Sequence, residues 1–233
     1  MSDTKHVTVK LKGVTSKGVA GDIKLRQKSA FAVQHMLAAA RFSRQCGQIQ
    51  EENLGKKLGS FFDAQISCVS ATIMLCVASL ESNINEYLSE GEKLFPLINE
   101  YARNEFITLL EPSSILDKYQ SVLSFKGIDI FDSSREPFQS VNTIIALRNE
   151  LVHFHPEWHD EQIRHKKLGK ILAGKFELSP FLNKESSVLF PQRIISHGCT
   201  IWAVKSSIKF MDKFAEFNGF KSKFKKFESR LDL

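Results

Sequence analysis

The sequence has few of the features that mark membrane or secreted proteins. The longest stretch nearly free of polar residues, 71–80, is far too short to span a bilayer, and the N-terminus is polar where an apolar signal region would stand. The four cysteines lack the short paired spacing of a zinc site, so we expect them to be buried apolar residues in a reducing compartment. The sequence therefore predicts a cytoplasmic protein with no membrane contact and with no metal or other cofactor.

Tyrosine and tryptophan are also scarce, with 3 and 2 residues against 19 phenylalanines, so most aromatic mass is predicted to lie in a core or an interface. The length of 233 residues is sufficient for one large domain. A net charge of +6 permits a polyanionic partner such as RNA without requiring one. Much of the positive charge lies near the C-terminus, where a solvated helix face is the simplest interpretation. The cations there are Lys205, Lys209, Lys213, Lys221, Lys223, Lys225, Lys226 and Arg230.

Apolar residues recur with helical spacing from about residue 29 onward, which predicts an all-α fold, an up-and-down helical bundle with extra peripheral helices. Before it, the alternation over 5–12 predicts one short strand or extended arm, which would pair with another chain or lie along the body. We divide the chain into an N-terminal arm (1–27), a helical domain (28–219) and a basic, Phe-rich tail (220–233). The predicted helices are 30–50, 58–89, 92–110, 113–125, 136–154, 157–172 and 194–217. The helix 58–89 has two packing faces and is expected at the centre of the bundle.

Three side chains suited to ribonuclease chemistry stand close together near the end of the predicted helix 136–154. Arg148 can hold a phosphate, Asn149 can donate hydrogen bonds, and His153 can transfer a proton near neutral pH. The helix is expected to end there because Pro156 disfavours helical geometry at His155. The short pattern predicts a site that cleaves RNA without a metal.

A helical wheel separates these residues. Asn142, Asn149 and His153 form a column at the border of the apolar face, whereas Arg148 points into that face, about 140° from His153. An arginine in an apolar surrounding requires an anion. We expect Glu81 on the helix 58–89 to supply it, with Asn85 one turn further on.

The segment Arg148-Asn149-Glu150-Leu151-Val152-His153 resembles the signature of the HEPN superfamily, an arginine, usually a polar residue, and a histidine a few positions later. The segment 80–86 resembles the acidic second-helix segment of many members, and 201–204 with Phe210 resembles the closing helix of some. The resemblance covers about 58–217.

This resemblance implies a bundle of HEPN type that forms a homodimer, with one composite cleft between the two signature helices. Many members are metal-independent endoribonucleases that leave a 2′,3′-cyclic phosphate, and they act as toxins or antiviral defence effectors. It assigns phosphate contact to Arg148, support to Asn149 and proton transfer to His153, with Glu81, Asn85 and Asn142 as supporting residues. The partners would be RNA, a second copy of the chain, and a neutralising antitoxin or regulatory protein. Because the superfamily also has inactive members, the alternative is a non-catalytic module that binds a partner protein or a nucleotide.

Two further groups of residues admit more than one interpretation. His155 and His159 are predicted to line a basic edge near the cleft and to contact the substrate. A metal cluster that includes them is disfavoured because Pro156 interrupts the helix. The C-terminal phenylalanines could stack on bases, but their helical spacing favours an apolar face, for which a dimer contact is a plausible use. They are Phe210, Phe214, Phe217, Phe220, Phe224 and Phe227.

Overall fold

The structure is a computed structural model that describes residues 6–11, 14–19, 29–158, 161–182 and 189–233. It confirms the all-α prediction for the body of the chain. The helices are α1 (Ala32–Glu52), α2 (Ser60–Leu88), α3 (Gly91–Leu94), α4 (Glu100–Leu110), α5 (Ile115–Phe125), α6 (Phe138–Val152), α7 (Ile163–Leu172), α8 (His197–Phe217) and α9 (Glu228–Leu231). A 3₁₀ turn, Lys225–Phe227, precedes α9.

The N-terminal arm differs from its prediction. Strand β1 (His6–Leu11) pairs with a second strand, β2 (Val14–Val19), in an antiparallel hairpin with His6 opposite Val19. The expectation of a lone strand was therefore wrong, because the missing partner is the segment that follows it in the same chain.

Four long helices, α1, α2, α6 and α8, form the bundle. Helices α2 and α8 run in the same direction, since Ser79 lies beside Met211 and Tyr87 packs against Phe214, with ring centroids 5.4 Å apart. Helix α1 runs against α2. The Ser79 hydroxyl donates to the carbonyl of Ala32 (2.7 Å) at one end, and at the other the Gln65 amide donates to Gln50 (3.1 Å).

Helix α6 also runs against α8. Phe138 lies beside Phe210, with ring centroids 6.4 Å apart, and the indole of Trp202 donates to the Ser140 hydroxyl at 3.3 Å. Helices α1 and α6 therefore point one way and α2 and α8 the other. This is the up-and-down arrangement that the sequence predicts.

Helix α2 lies at the centre, as expected. It packs against α1, α6 and α8, and its fully buried positions include Val69, Ile73, Leu80 and Ile84. Taken over its whole length, it is long and apolar enough to cross a membrane, with a mean hydropathy of 1.7 over the best window. Its apolar residues serve here as the shared core of the bundle.

The predicted helix 92–110 is two helices, α3 and α4, separated at Phe95–Asn99. Pro96 disfavours helical geometry at the residue before it, and the Asn99 side chain accepts from the amide of Ala102 (2.9 Å) to start α4. The predicted helix 157–172 begins only at Ile163.

The C-terminal tail, predicted to lie outside the helical domain, packs on it. Phe220 stacks on Tyr87, Phe224 is buried, and Lys223 forms an ion pair with Glu86 at 2.8 Å. The other oxygen of Glu86 accepts from the amides of Phe31 and Ala32 (2.8 Å each), so the tail is joined to the start of α1. The phenylalanines are apolar packing residues, as the spacing predicts, but the prediction of one helix face was wrong beyond Phe217, where α8 ends. Phe220 and Phe224 pack on the core of their own chain.

Candidate functional site

Helix α6 carries the three predicted catalytic residues at its C-terminal end. The helix ends at Val152, two residues earlier than predicted, and His153 is its C-cap. The amide of His153 donates to the carbonyl of Asn149 at 2.8 Å, so the two residues remain one turn apart. The column of Asn149 and His153 is therefore present, and both side chains are exposed.

Arg148 lies on a different side of α6 and is half-buried. Its Nε is shielded from solvent and has no hydrogen-bond partner in the described part of the chain. A shielded guanidinium nitrogen without an acceptor carries a free-energy cost of about 1–3 kcal/mol, or more because the group is charged. An anionic ligand would remove that cost.

Glu81 does not provide the anion within one chain, so that prediction was wrong. The described residues include no ion pair between Glu81 and Arg148, and the Glu81 side chain is exposed. The reason is the direction of the helices. Ser79 of α2 contacts Met211 of α8, and Phe138 at the start of α6 contacts the adjacent Phe210, so the start of α6 lies at the same height in the bundle as Ser79 and Glu81. Because α6 then runs towards the N-terminal end of α2, Arg148 lies roughly 20 Å from Glu81 along the bundle axis.

The other supporting residues also separate. Asn85 accepts from Lys118 of α5 (3.2 Å) at the far end of the bundle, so it does not support the site as predicted. Asn142 is exposed on α6, two turns before Asn149 and about 10 Å from it along the axis. Asn142 remains on the same exposed face as Asn149.

The segment after α6 is fixed to α7. The ring Nε2 of His165, a buried residue of α7, lies 3.1 Å from the carbonyl oxygen of His155, and its Nδ1 lies 3.5 Å from the Glu157 carboxylate. Glu157 also accepts from the amides of Arg164 and His165 (3.0 and 2.9 Å), so it caps the start of α7. Those backbone hydrogen bonds are the main reason why the pKa of the Glu157 carboxyl is lowered. These contacts hold the backbone on the C-terminal side of His153 in one place.

The predicted substrate contacts have different outcomes. The His155 side chain is exposed beside the site, whereas His159 lies outside the described residues. Among the described residues no group of three His, Cys, Asp or Glu side chains could hold a metal ion.

A groove of about 420 Å³ separates α6 from α7 next to the predicted residues. Asn149 lies on one wall, and Arg164 and Lys167 lie on the other. The guanidinium of Arg164 donates to Glu150 at 2.9 Å across it. Sequence reasoning missed Arg164 because nothing in the periodicity of α7 indicates which helix its exposed face meets.

His197, the first residue of α8, is a second residue that sequence reasoning missed. It stands at the same end of the bundle as Arg148, because α6 and α8 are antiparallel. Its ring packs on Gly47, where an added Cβ would lie 2.6 Å from the ring, and its amide donates to Gln50 (3.0 Å). Burial lowers the pKa of the imidazole, and its shielded Nε2 has no partner among the described residues. A lone histidine before an apolar helix gave no signal of this in the sequence.

Comparison of the chain with protein-family models, with curated proteins and with solved structures found no match in any of the three. The HEPN resemblance therefore stays a prediction, and the residues and their geometry carry the functional argument.

Proposed function

We propose that this protein is a metal-independent endoribonuclease whose active site is a composite cleft between two copies of the chain. The observation that carries the proposal is the unpartnered, shielded Nε of Arg148 at the same end of α6 as the exposed Asn149 and His153. A phosphate of RNA would supply the acceptor that the guanidinium lacks.

The chemistry follows from what the side chains can do. His153 takes the proton of a ribose 2′-hydroxyl, whose oxygen attacks the adjacent phosphorus. The bond from phosphorus to the 5′-oxygen breaks, that oxygen receives a proton from water, and the proton held on His153 returns to the water. The products are a 2′,3′-cyclic phosphate and a 5′-hydroxyl. Arg148 stabilises the charge on the phosphate in the transition state, and Asn149 hydrogen-bonds to it.

The geometry of one chain favours a shared site. Arg148 lies on a different side of α6 from the column of Asn149 and His153, and this difference in direction favours a site to which both copies contribute. The exposed face of α6 from Asn142 to His153 is available to a second copy. A two-fold arrangement of these helices would bring His153 of each chain near Arg148 of the other.

In the cell this activity would suit a toxin or an antiviral defence effector, with an antitoxin or regulatory protein holding it in check. The net charge of +6 is compatible with an RNA substrate.

The test is cleavage of RNA in the presence of a chelator by the wild type, His153→Ala and Arg148→Ala. Each variant is expected to cleave at least about 100-fold more slowly. The matched controls are His35→Ala and Arg41→Ala on α1, which should keep wild-type rates. Product analysis should find 2′,3′-cyclic ends. Cleavage that a chelator abolishes, or equal rates in all variants, would contradict the proposal.

The second candidate is a non-catalytic module that binds a partner protein or a nucleotide. Large apolar side chains exposed around the end of α6 favour a protein contact. They are Val152, Phe154, Trp158 and Ile163. Absence of cleavage under every activating condition, together with a stable complex with a partner, would favour this candidate.

A further inference from the structure

Helix α7 has a basic face that no other element covers in the part of the chain that the structure describes. Lys166, Lys167 and Lys170 are exposed, and no carboxylate in the described part of the chain lies within ion-pair distance of them. The opposite face of α7 is buried through His165 and Leu168. The positive charge is therefore held on the solvent side of a helix whose other side is packed.

This basic face is continuous with the candidate active site. Lys167 lines the groove between α6 and α7, in which Asn149 lies on the other wall. Lys167 also lines a wider concave surface of about 700 Å³, together with Lys166 and Lys170. One carboxylate, that of Glu161, lines this surface as well, so the lysines outnumber the acidic group by three to one. A chain-like polyanion could thus run from Asn149 across Lys167 and along α7.

An exposed aromatic ring stands at the start of the same helix. Trp158 is 80% exposed, and its carbonyl accepts from the amide of Glu161 (3.0 Å), two residues before α7. The neighbouring Glu157 caps α7, so the residue before Trp158 is held against the start of that helix. A flat partner that covered the indole would gain free energy from the apolar surface that it removes from water.

We propose that α7 and Trp158 form a binding site for single-stranded RNA, in which the lysines contact the phosphates and the indole stacks on an unpaired base. The inference rests on the proposed function, since it assigns the strand that leads into that site. A single strand is the favoured ligand, because the bases of a duplex are already stacked on each other whereas a single strand offers a free face to an aromatic ring. The contacts are independent of sequence.

Binding is tested with a labelled 2′-O-methyl RNA strand of about 12 nucleotides, which lies within the usual site sizes and cannot be cleaved by 2′-hydroxyl attack. Three ligands are compared, each mixed with the full-length protein: this single strand, the same strand in a duplex, and vesicles of anionic phospholipid. We expect the single strand to bind and to quench tryptophan fluorescence, with the duplex at least about tenfold weaker. Because Trp202 is half-buried and bonded to Ser140, the quenching should be lost in Trp158→Phe.

The lysine contribution is tested with two variants of equal charge loss. The first is Lys166→Gln/Lys167→Gln/Lys170→Gln, and the matched control is Lys205→Gln/Lys209→Gln/Lys226→Gln, whose lysines are exposed elsewhere. We expect the α7 variant to bind at least about tenfold more weakly and to lower the slope of log affinity against log salt by about 2, at about 0.7 per lost phosphate contact. Trp158→Ala should weaken binding about tenfold, and Trp158→Phe should retain most of the affinity.

Four results would overturn the inference: equal losses in the two lysine variants, equal binding of duplex and single strand, binding to the vesicles alone, or no binding. The proposed function fails separately. If RNA cleavage depends on His153 but not on α7 or Trp158, the ribonuclease stands and the site on α7 does not. If the strand binds as described and the wild type does not cleave RNA, the site on α7 stands and the ribonuclease does not.

Discussion

Arg164 of α7 donates a 2.9 Å hydrogen bond to Glu150 of α6, which ties the basic helix to the helix that carries Arg148 and His153. Glu150 lies between Asn149 and Leu151 in the very segment that suggested a site. Its role in the structure is to hold α7 beside that site, and its charge is the one acidic group lining the groove between α6 and α7 in the described residues.

Replacing Glu150 with Gln should therefore strengthen RNA binding while changing stability little. The Arg164 side chain is half exposed, so the ion pair is expected to contribute less than about 1 kcal/mol to the free energy of unfolding. Loss of the negative charge from the groove should tighten binding of the uncleavable strand a few-fold, and the gain should disappear at high salt. Urea denaturation and anisotropy titrations measure the two effects. Weaker binding would show that Glu150 contacts the strand favourably.

Glu86→Ala should lower the free energy of unfolding by about 1–2 kcal/mol, because the carboxylate accepts from two amides at the start of α1 and pairs with Lys223 of the tail. The matched control is Glu81→Ala, an exposed carboxylate on the same helix, which should change stability by less than about 0.5 kcal/mol. Urea denaturation of both variants checks this. Equal losses would contradict the account of the tail.

The four thiols should be unreactive in the folded protein. Burial raises the pKa of Cys46 and of Cys76 to about 12, and it also raises those of Cys68 and Cys199. At pH 8 each is protonated and shielded, and the thiolate is the reactive form. A thiol reagent should label none of them within minutes at pH 8 and all four in urea. Fast labelling of the native protein would contradict the packing of α1, α2 and α8.

His197 should make stability depend on pH. Burial lowers its pKa in the folded state below the unfolded value of 6.5, so the unfolded chain binds more protons as the pH falls through that range. The contribution of the buried, neutral His197 to the free energy of unfolding is fully present above about pH 6.5 and is lost as the pH falls towards the folded-state pKa. In the variant His197→Gln, this pH-dependent loss in the free energy of unfolding should be absent. Urea denaturation of both proteins between about pH 5 and 8 measures the difference, and identical pH profiles would contradict the burial of this ring.

The sequence predicts the secondary structure of the bundle well because periodicity reports which residues turn inward. Helices α1, α2, α6 and α8 begin and end within a few residues of their predicted bounds. The break between α3 and α4 was missed although Pro96 and Asn99 signal it. The pairing of β1 with β2 and the docking of Phe220 on Tyr87 depend on contacts between segments, which spacing does not report.

The candidate site was predicted less completely. The helical wheel correctly separated Arg148 from the column of Asn149 and His153, since direction around a helix follows from position alone. The wheel gives no information on how far one helix is shifted along the bundle axis relative to its neighbour. For this reason Glu81 was predicted to lie beside Arg148, whereas the two residues are roughly 20 Å apart along that axis. Arg164 and His197 are far from Arg148 in the sequence, and they lie at the same end of the bundle only because α7 and α8 pack there.

The central claim, that Arg148 of one chain and His153 of another act on the same phosphate, is tested most directly by mixing the two inactive variants. Arg148→Ala and His153→Ala are unfolded together, refolded as a mixture and assayed for RNA cleavage in a chelator, beside each variant treated alone. We expect each variant alone to be inactive and the mixture to recover activity, because mixed dimers contain one intact pair of residues. Full activity in either variant alone, or a mixture of proven mixed dimers that stays inactive, would contradict the claim.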